Sequence, residues 1–343
     1  MPDLLLYLKA VGAAAIVSAM FVLAMIGGRR KATSTWLNSM CVLGMSLGLT
    51  VGYYVLSLRL AWPPANGLDR FLTIVVPAAL VIEWLAGLRR APRWLAWCLR
   101  MSLVAAMPRI LLHGSVYLSG TDDWTRLQAV AAMAFCAALL AGTWGLLAWL
   151  YMRSPGVSIP FALSLTTQSA GLTVMMAGYI KGGAAAFPYA ATIVATTIGA
   201  KLLAHRIDTT ENAEPTPARI RSSIQPAAPA IIGIGLVGLF GCLFIGLFFG
   251  RLSTANATAM LLAPLLCWAT ELPPIRHWRP WLVGSLRLVL VAIPLVVVLV
   301  LAKRNFDREM APLLGHADNV FSTDKELGTH FVPLVAPRDL AIP

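Results

Sequence analysis

Along this chain, long apolar runs alternate with short segments that hold most of the charged residues. A helix crosses a ~30 Å hydrocarbon core with about 20 residues, at 1.5 Å per residue. Ten runs reach that length, near Leu4–Gly28, Trp36–Leu60, Phe71–Leu88, Trp94–Leu112, Leu127–Met152, Ile159–Ile180, Gly182–Leu203, Ala227–Gly250, Ala255–Leu272 and Trp281–Ala302. The pattern predicts an all-α polytopic membrane protein with about ten transmembrane helices.

Composition points the same way. Of 343 residues, 58% are hydrophobic and 12% charged, whereas soluble domains carry about 25% charged residues. The segments between the runs leave no room for a soluble catalytic domain of ordinary size, so function falls to the helices and short loops. A formal charge of +12 would suggest nucleic acid in a soluble protein. Here the basic residues flank apolar runs, which is a topology signal and gives no nucleic-acid partner; the expected partner is the lipid bilayer.

The first run is preceded by Asp3 and followed by Arg29, Arg30 and Lys31, with no small-residue cleavage site between, so it reads as a retained span. Arg29/Arg30/Lys31, Arg89/Arg90/Arg93, Arg153, Lys201/Arg206/Arg219/Arg221 and Arg276/Arg279 all fall in alternate loops. The positive-inside rule then places both termini outside. The Ala-, Gly- and Arg-rich composition fits a bacterial inner (plasma) membrane.

The chain also resembles itself. WLAWCLRMSLVA, from Trp94, and WLVGSLRLVLVA, from Trp281, share Trp, Arg and several apolar positions. Pro77 matches Pro264, Glu83 matches Glu271, Ala65-Asn66 matches Ala255-Asn256, and Tyr7-Leu8-Lys9 matches Tyr179-Ile180-Lys181. Helices 1–4 therefore resemble helices 7–10, with helices 5–6 between them. An even offset of six spans keeps the same orientation, so the duplication is parallel. The expected units are residues 1–118, a connecting pair over 119–178, a second four-helix unit over 179–302, and a C-terminal extramembrane tail over 303–343.

Each unit carries an arginine within its last apolar run. Such a charge costs about 2.5–3.5 kcal/mol at a helix centre on insertion scales, so it needs a partner or a route to water. Glu83 and Arg100 lie at similar distances from the loop that joins their helices, and Glu271 and Arg287 repeat the arrangement. Two interhelical ion pairs are predicted, Glu83–Arg100 and Glu271–Arg287.

Other polar residues offer a pathway or a ligand site. Thr166, Thr167, Gln168 and Ser169 cluster in the sixth run, which belongs to the unduplicated pair. Arg109 follows Pro108 near His113 toward the outer face, within reach of an anionic ligand or lipid headgroup. Asp122-Asp123 reads as a solvated loop, and the tail's His316, Asp318, Asp324, Glu326 and His330 match no metal-ligand spacing. The five cysteines lie in apolar runs without CxxC spacing and read as small hydrophobes. There is no P-loop or HExxH, and the one GxSxG string, Gly44-Met45-Ser46-Leu47-Gly48, lies inside the second apolar run and so is not the strand-to-helix turn of a nucleophile elbow. No catalytic residue, metal or cofactor is assigned, which weighs against an enzyme. The leading expectation is a transporter or permease-like protein. The alternatives are a noncatalytic membrane subunit or scaffold whose tail recruits a partner, and an intramembrane enzyme acting on lipid.

Overall fold

The structure, a computed structural model, describes residues 4–24, 34–58, 60–88, 92–119, 125–210, 228–276 and 279–326. Among them every regular element is helical. The longer helices are α1 (Leu4–Ala24), α2 (Ser34–Val55), α5 (Arg93–Leu112), α7 (Arg126–Arg153), α8 (Ser158–Met176), α9 (Ile180–Thr210), α10 (Ala228–Phe249) and α13 (Pro280–Glu326). Shorter ones are α3 (Gly67–Arg70), α4 (Val76–Ala86), α6 (Val116–Ser119), α11 (Thr254–Leu262) and α12 (Pro273–Arg276).

Among the described residues, six helical segments are long and apolar enough to cross a membrane: Leu4–Ala24, Trp94–Leu112, Arg126–Arg153, Ile180–Leu203, Pro229–Phe249 and Pro280–Glu309. The other four expected runs are helical as well, with two kinds of departure. In α2 and α8, Ser, Thr, Asn and Gln dilute the hydropathy. The third and ninth runs are broken by proline. Phe71–Val75 forms a π-helical turn in which the Val76 N–H reaches back five residues to the Phe71 carbonyl, immediately before Pro77. Ala263–Glu271 is a 3₁₀ stretch that opens with Pro264 near its start. Proline lacks the N–H that continues the α ladder, so the chain changes its hydrogen-bond register at both places.

Helix ends are set by short polar signals. Asn66 Oδ1 accepts the Asp69 N–H at 2.9 Å at the start of α3, and Ser253 Oγ accepts the Asn256 N–H at 3.3 Å at the start of α11. Thr125 and Gln128 form a reciprocal capping box on α7. Helix α8 ends at Gly178, whose φ of +89° is natural only for glycine, and the Tyr179 N–H bonds back to the Val174 carbonyl.

Helix α10 is the most enclosed span, with 89% of its apolar window buried, against 22% for α7 and for α1. Helices α7, α8, α9 and α4 pack around it, α13 lies along α8, and α1 and α2 pack on α9. The interior is filled by fully buried Trp144, Tyr189, Leu163 and Ile193. Lipid offers no hydrophobic drive for helix association, so close approach at small residues matters more. At the α8–α9 crossing a Cβ on Gly171 would stand 2.8 Å from the Gly183 carbonyl oxygen. Gly171→Val should therefore force the two backbones apart and destabilise the protein by about 1–3 kcal/mol, the range for overpacking. Unfolding of the purified protein in mixed micelles measures this; wild-type stability would show that α8 and α9 are not in contact there.

Candidate functional site

Among the described residues, two of the three buried charged ones, Glu83 and Arg287, form arginine centres; the third, Asp69, lies in the short helix α3. In the first, Arg100 on α5 grips Glu83 on α4 with both donors of a planar fork: Nε donates to Oε1 at 2.7 Å and Nη2 to Oε2 at 2.6 Å. Glu83 is 1% exposed and Arg100 12%. The guanidinium lies 5.6 Å from the Trp97 ring and 5.9 Å from the Trp144 ring, so aromatic faces supply further stabilisation. Two contacts hold Glu83 in place. Asn38 on α2 donates to its backbone carbonyl at 3.1 Å. Gly233 on α10 lets the carboxylate tuck against that helix, since a Cβ there would come within 2.5 Å of Oε1.

The second centre has a different build. Arg287 on α13 is 3% exposed and donates to four acceptors. Nε donates to Thr270 Oγ1 at 2.7 Å, Nη1 to Ser158 Oγ at 3.1 Å, and Nη2 to Ser154 Oγ and Glu271 Oε1, both at 2.8 Å. One arginine thus joins α13, the 3₁₀ stretch, the α7–α8 junction and the first turn of α8. Near it, Arg153 stacks 4.4 Å from the Trp149 ring, and Trp149 lies 4.8 Å from Trp268.

The polar cluster of α8 divides into buried hydroxyls and one exposed amide. Thr166 and Thr167 are buried, and each donates to the carbonyl four residues back, on Ala162 and Leu163, at 2.8 Å. Thr173 does the same to Ser169, itself buried, and Ser164 crosses to the Ala190 carbonyl of α9 at 2.8 Å. Gln168 is exposed on the outer face, between Leu165 and Leu172. Arg109 and His113 are both exposed, Arg109 in the last turn of α5 and His113 just beyond it. Asp122-Asp123 lies outside the described residues, as does His330. Among the described residues no three His, Cys, Asp or Glu side chains gather as metal ligands.

Several contributors escape a reading of the sequence. Thr270, Ser154 and Ser158 gave no signal beyond being polar. Arg70 donates to the His113 carbonyl and ties the start of the third run to the end of the fourth. One signal was present: Arg100 and Arg287 each stand 17 residues after the acceptor of their Nε.

The all-helical build and the six membrane-length apolar helices among the described residues make this an integral membrane protein. No protein-family model, curated protein or solved structure matches the chain.

The two centres predict unequal sensitivity to losing the carboxylate. Glu83→Gln leaves Arg100 without its counter-charge, a loss on the order of 3–5 kcal/mol for a buried pair. Glu271→Gln leaves Arg287 with three hydroxyl acceptors and should cost less, about 1.5–3 kcal/mol, the range for a hydrogen bond to a charged group. Equal losses in micellar unfolding would show that the hydroxyls do not share the charge.

Proposed function

We propose that this protein is a noncatalytic membrane subunit that holds a partner through the helix leaving its bundle. The observation that carries the reading is the length of α13. Its 47 residues run unbroken from Pro280 to Glu326, about 70 Å at 1.5 Å per residue, against a ~30 Å hydrocarbon core. More than half of that helix extends past what a span needs. Inside the bundle it leaves, Thr166, Thr167 and Thr173 of α8 donate to backbone carbonyls, and apolar side chains fill the interior.

The finer architecture is part of the same proposal: ten spans in a four-plus-two-plus-four order, both termini opposite the basic loops, in a bacterial inner membrane. Support for duplication comes from four position pairs that share one register, in which the cap Asn66 pairs with the cap Ser253 instead of with Asn256. The caps Asn66 and Ser253, the helix-breaking Pro77 and Pro264, the Nε acceptors Glu83 and Thr270, and Arg100 and Arg287 are all 187 positions apart. In that register Glu271 stands one residue beyond the position of Glu83, and the 3₁₀ stretch places its carboxylate within reach of Nη2.

Transport is the second reading. It is favoured by two buried hydroxyls with no hydrogen-bond partner, Tyr53 Oη on α2 and Thr196 Oγ1 on α9. A polar route between these adjacent helices would give both a partner.

Comparing the full chain with one ending at Met310, each purified gently from its own membrane, tests the proposal by native mass spectrometry. The full chain should retain a partner in fixed stoichiometry and the shortened chain should lose it. Retention by both would place the partner on the bundle. No partner on either, with solute flux in proteoliposomes, would establish transport instead.

A further inference from the structure

A cavity of about 70 Å³ opens where α13 leaves the bundle, between the C-terminal end of α8 and the start of α11. Arg251 and Glu309 stand across its mouth, and Thr173, Asn256 and Asn305 line its polar side. About 10–15 Å³ of such space holds one water, so the cavity takes a small charged group and no large solute. We propose that it seats the headgroup of an amine-bearing zwitterionic phospholipid, with the phosphate on Arg251 and the ammonium on Glu309.

The charges argue for a zwitterion. Arg251 Nη1 lies 3.3 Å from Glu309 Oε2, and the two side chains are 80% and 60% exposed. An exposed pair of this kind is weakly held, so a ligand carrying both charges can part it. A purely anionic group would meet the Glu309 carboxylate, and a purely cationic one would meet Arg251. A primary ammonium donates hydrogen bonds to Glu309 and to the Asn256 and Asn305 amide oxygens, which a quaternary ammonium does not. Quaternary groups are recognised by aromatic cages, and among the described residues Phe306 is the only aromatic side chain that lines the cavity.

The frame is fixed by backbone bonds. The Arg251 N–H donates to the Ala177 carbonyl at 2.9 Å, tying this loop to the end of α8, and the Leu252 N–H donates to Gly246 at 3.2 Å. Membrane placement follows from α13 itself. Val296, Val297 and Val300, one to two turns before the cavity, are exposed and offer the aliphatic surface along which acyl chains would lie. The inference goes beyond both functional readings and does not depend on α13 holding a partner.

The test is native mass spectrometry of the delipidated full chain, titrated separately with phosphatidylethanolamine, phosphatidylglycerol and phosphatidylcholine. Phosphatidylethanolamine should be retained at least fivefold better than either competitor. Glu309→Gln and Arg251→Gln alter exposed side chains and should each erase that preference with helicity unchanged by circular dichroism. Soluble phosphoethanolamine should fail to displace the lipid; displacement at matched concentration would overturn the lipid source and leave a free zwitterion as ligand. Equal retention of the three lipids, or an undiminished preference in Glu309→Gln, would overturn the site.

Discussion

A guanidinium placed among membrane-spanning helices must keep its charge and satisfy its donors, and much of this bundle is arranged around that demand. Arg100 meets it with a single buried carboxylate held by two hydrogen bonds. Burying Glu83 in turn requires α10 to approach without a side chain at Gly233 and α2 to reach across with Asn38. Four helices are thereby committed by one charge. Arg287 meets the same demand by spreading its donors over one carboxylate and three hydroxyls. The first solution is strong and local, while the second is distributed and ties the central helices to α13.

Away from the arginines, polar groups are quieted by backbone. Hydroxyls on α8 and α9 bond to carbonyls of the preceding turn or of the neighbouring helix. Such bonds remove the need for water and let helices touch through small residues. The result is a close-packed centre, with Tyr53 and Thr196 as its two buried unpartnered hydroxyls among the described residues. Function is then sought at the edges of the bundle, where α13 emerges and where Arg251 faces Glu309.

How much of this the sequence shows depends on the range of the interaction. Apolar runs mark the helices because each is a local property, and the Glu–Arg pairings follow because both partners sit near one connecting loop. Pro77 and Pro264 announce disturbance, but only the packed structure decides that one gives a π turn and the other a 3₁₀ stretch. The reach of Arg287 to Ser154 and Ser158 joins residues more than a hundred positions apart, and nothing in local spacing marks it. In α8 the hydroxyls of Ser164, Thr166, Thr167 and Thr173 are buried while Leu165, Gln168 and Leu172 are exposed, and a cluster of polar residues in sequence does not reveal which of its members turns away. Arg70 and Arg251 stand at span ends, where nothing in local spacing marks the His113 carbonyl or the Glu309 carboxylate that they reach.

The central claim is that Glu83 and Arg100 act as one unit holding the bundle together. A double-mutant cycle measures this directly, using Glu83→Gln, Arg100→Gln and the double variant, unfolded reversibly in mixed micelles. The structure predicts a coupling energy of about 2 kcal/mol, within the range for residues in direct contact. Additive losses, with coupling below about 0.3 kcal/mol, would show that the two charges are satisfied separately.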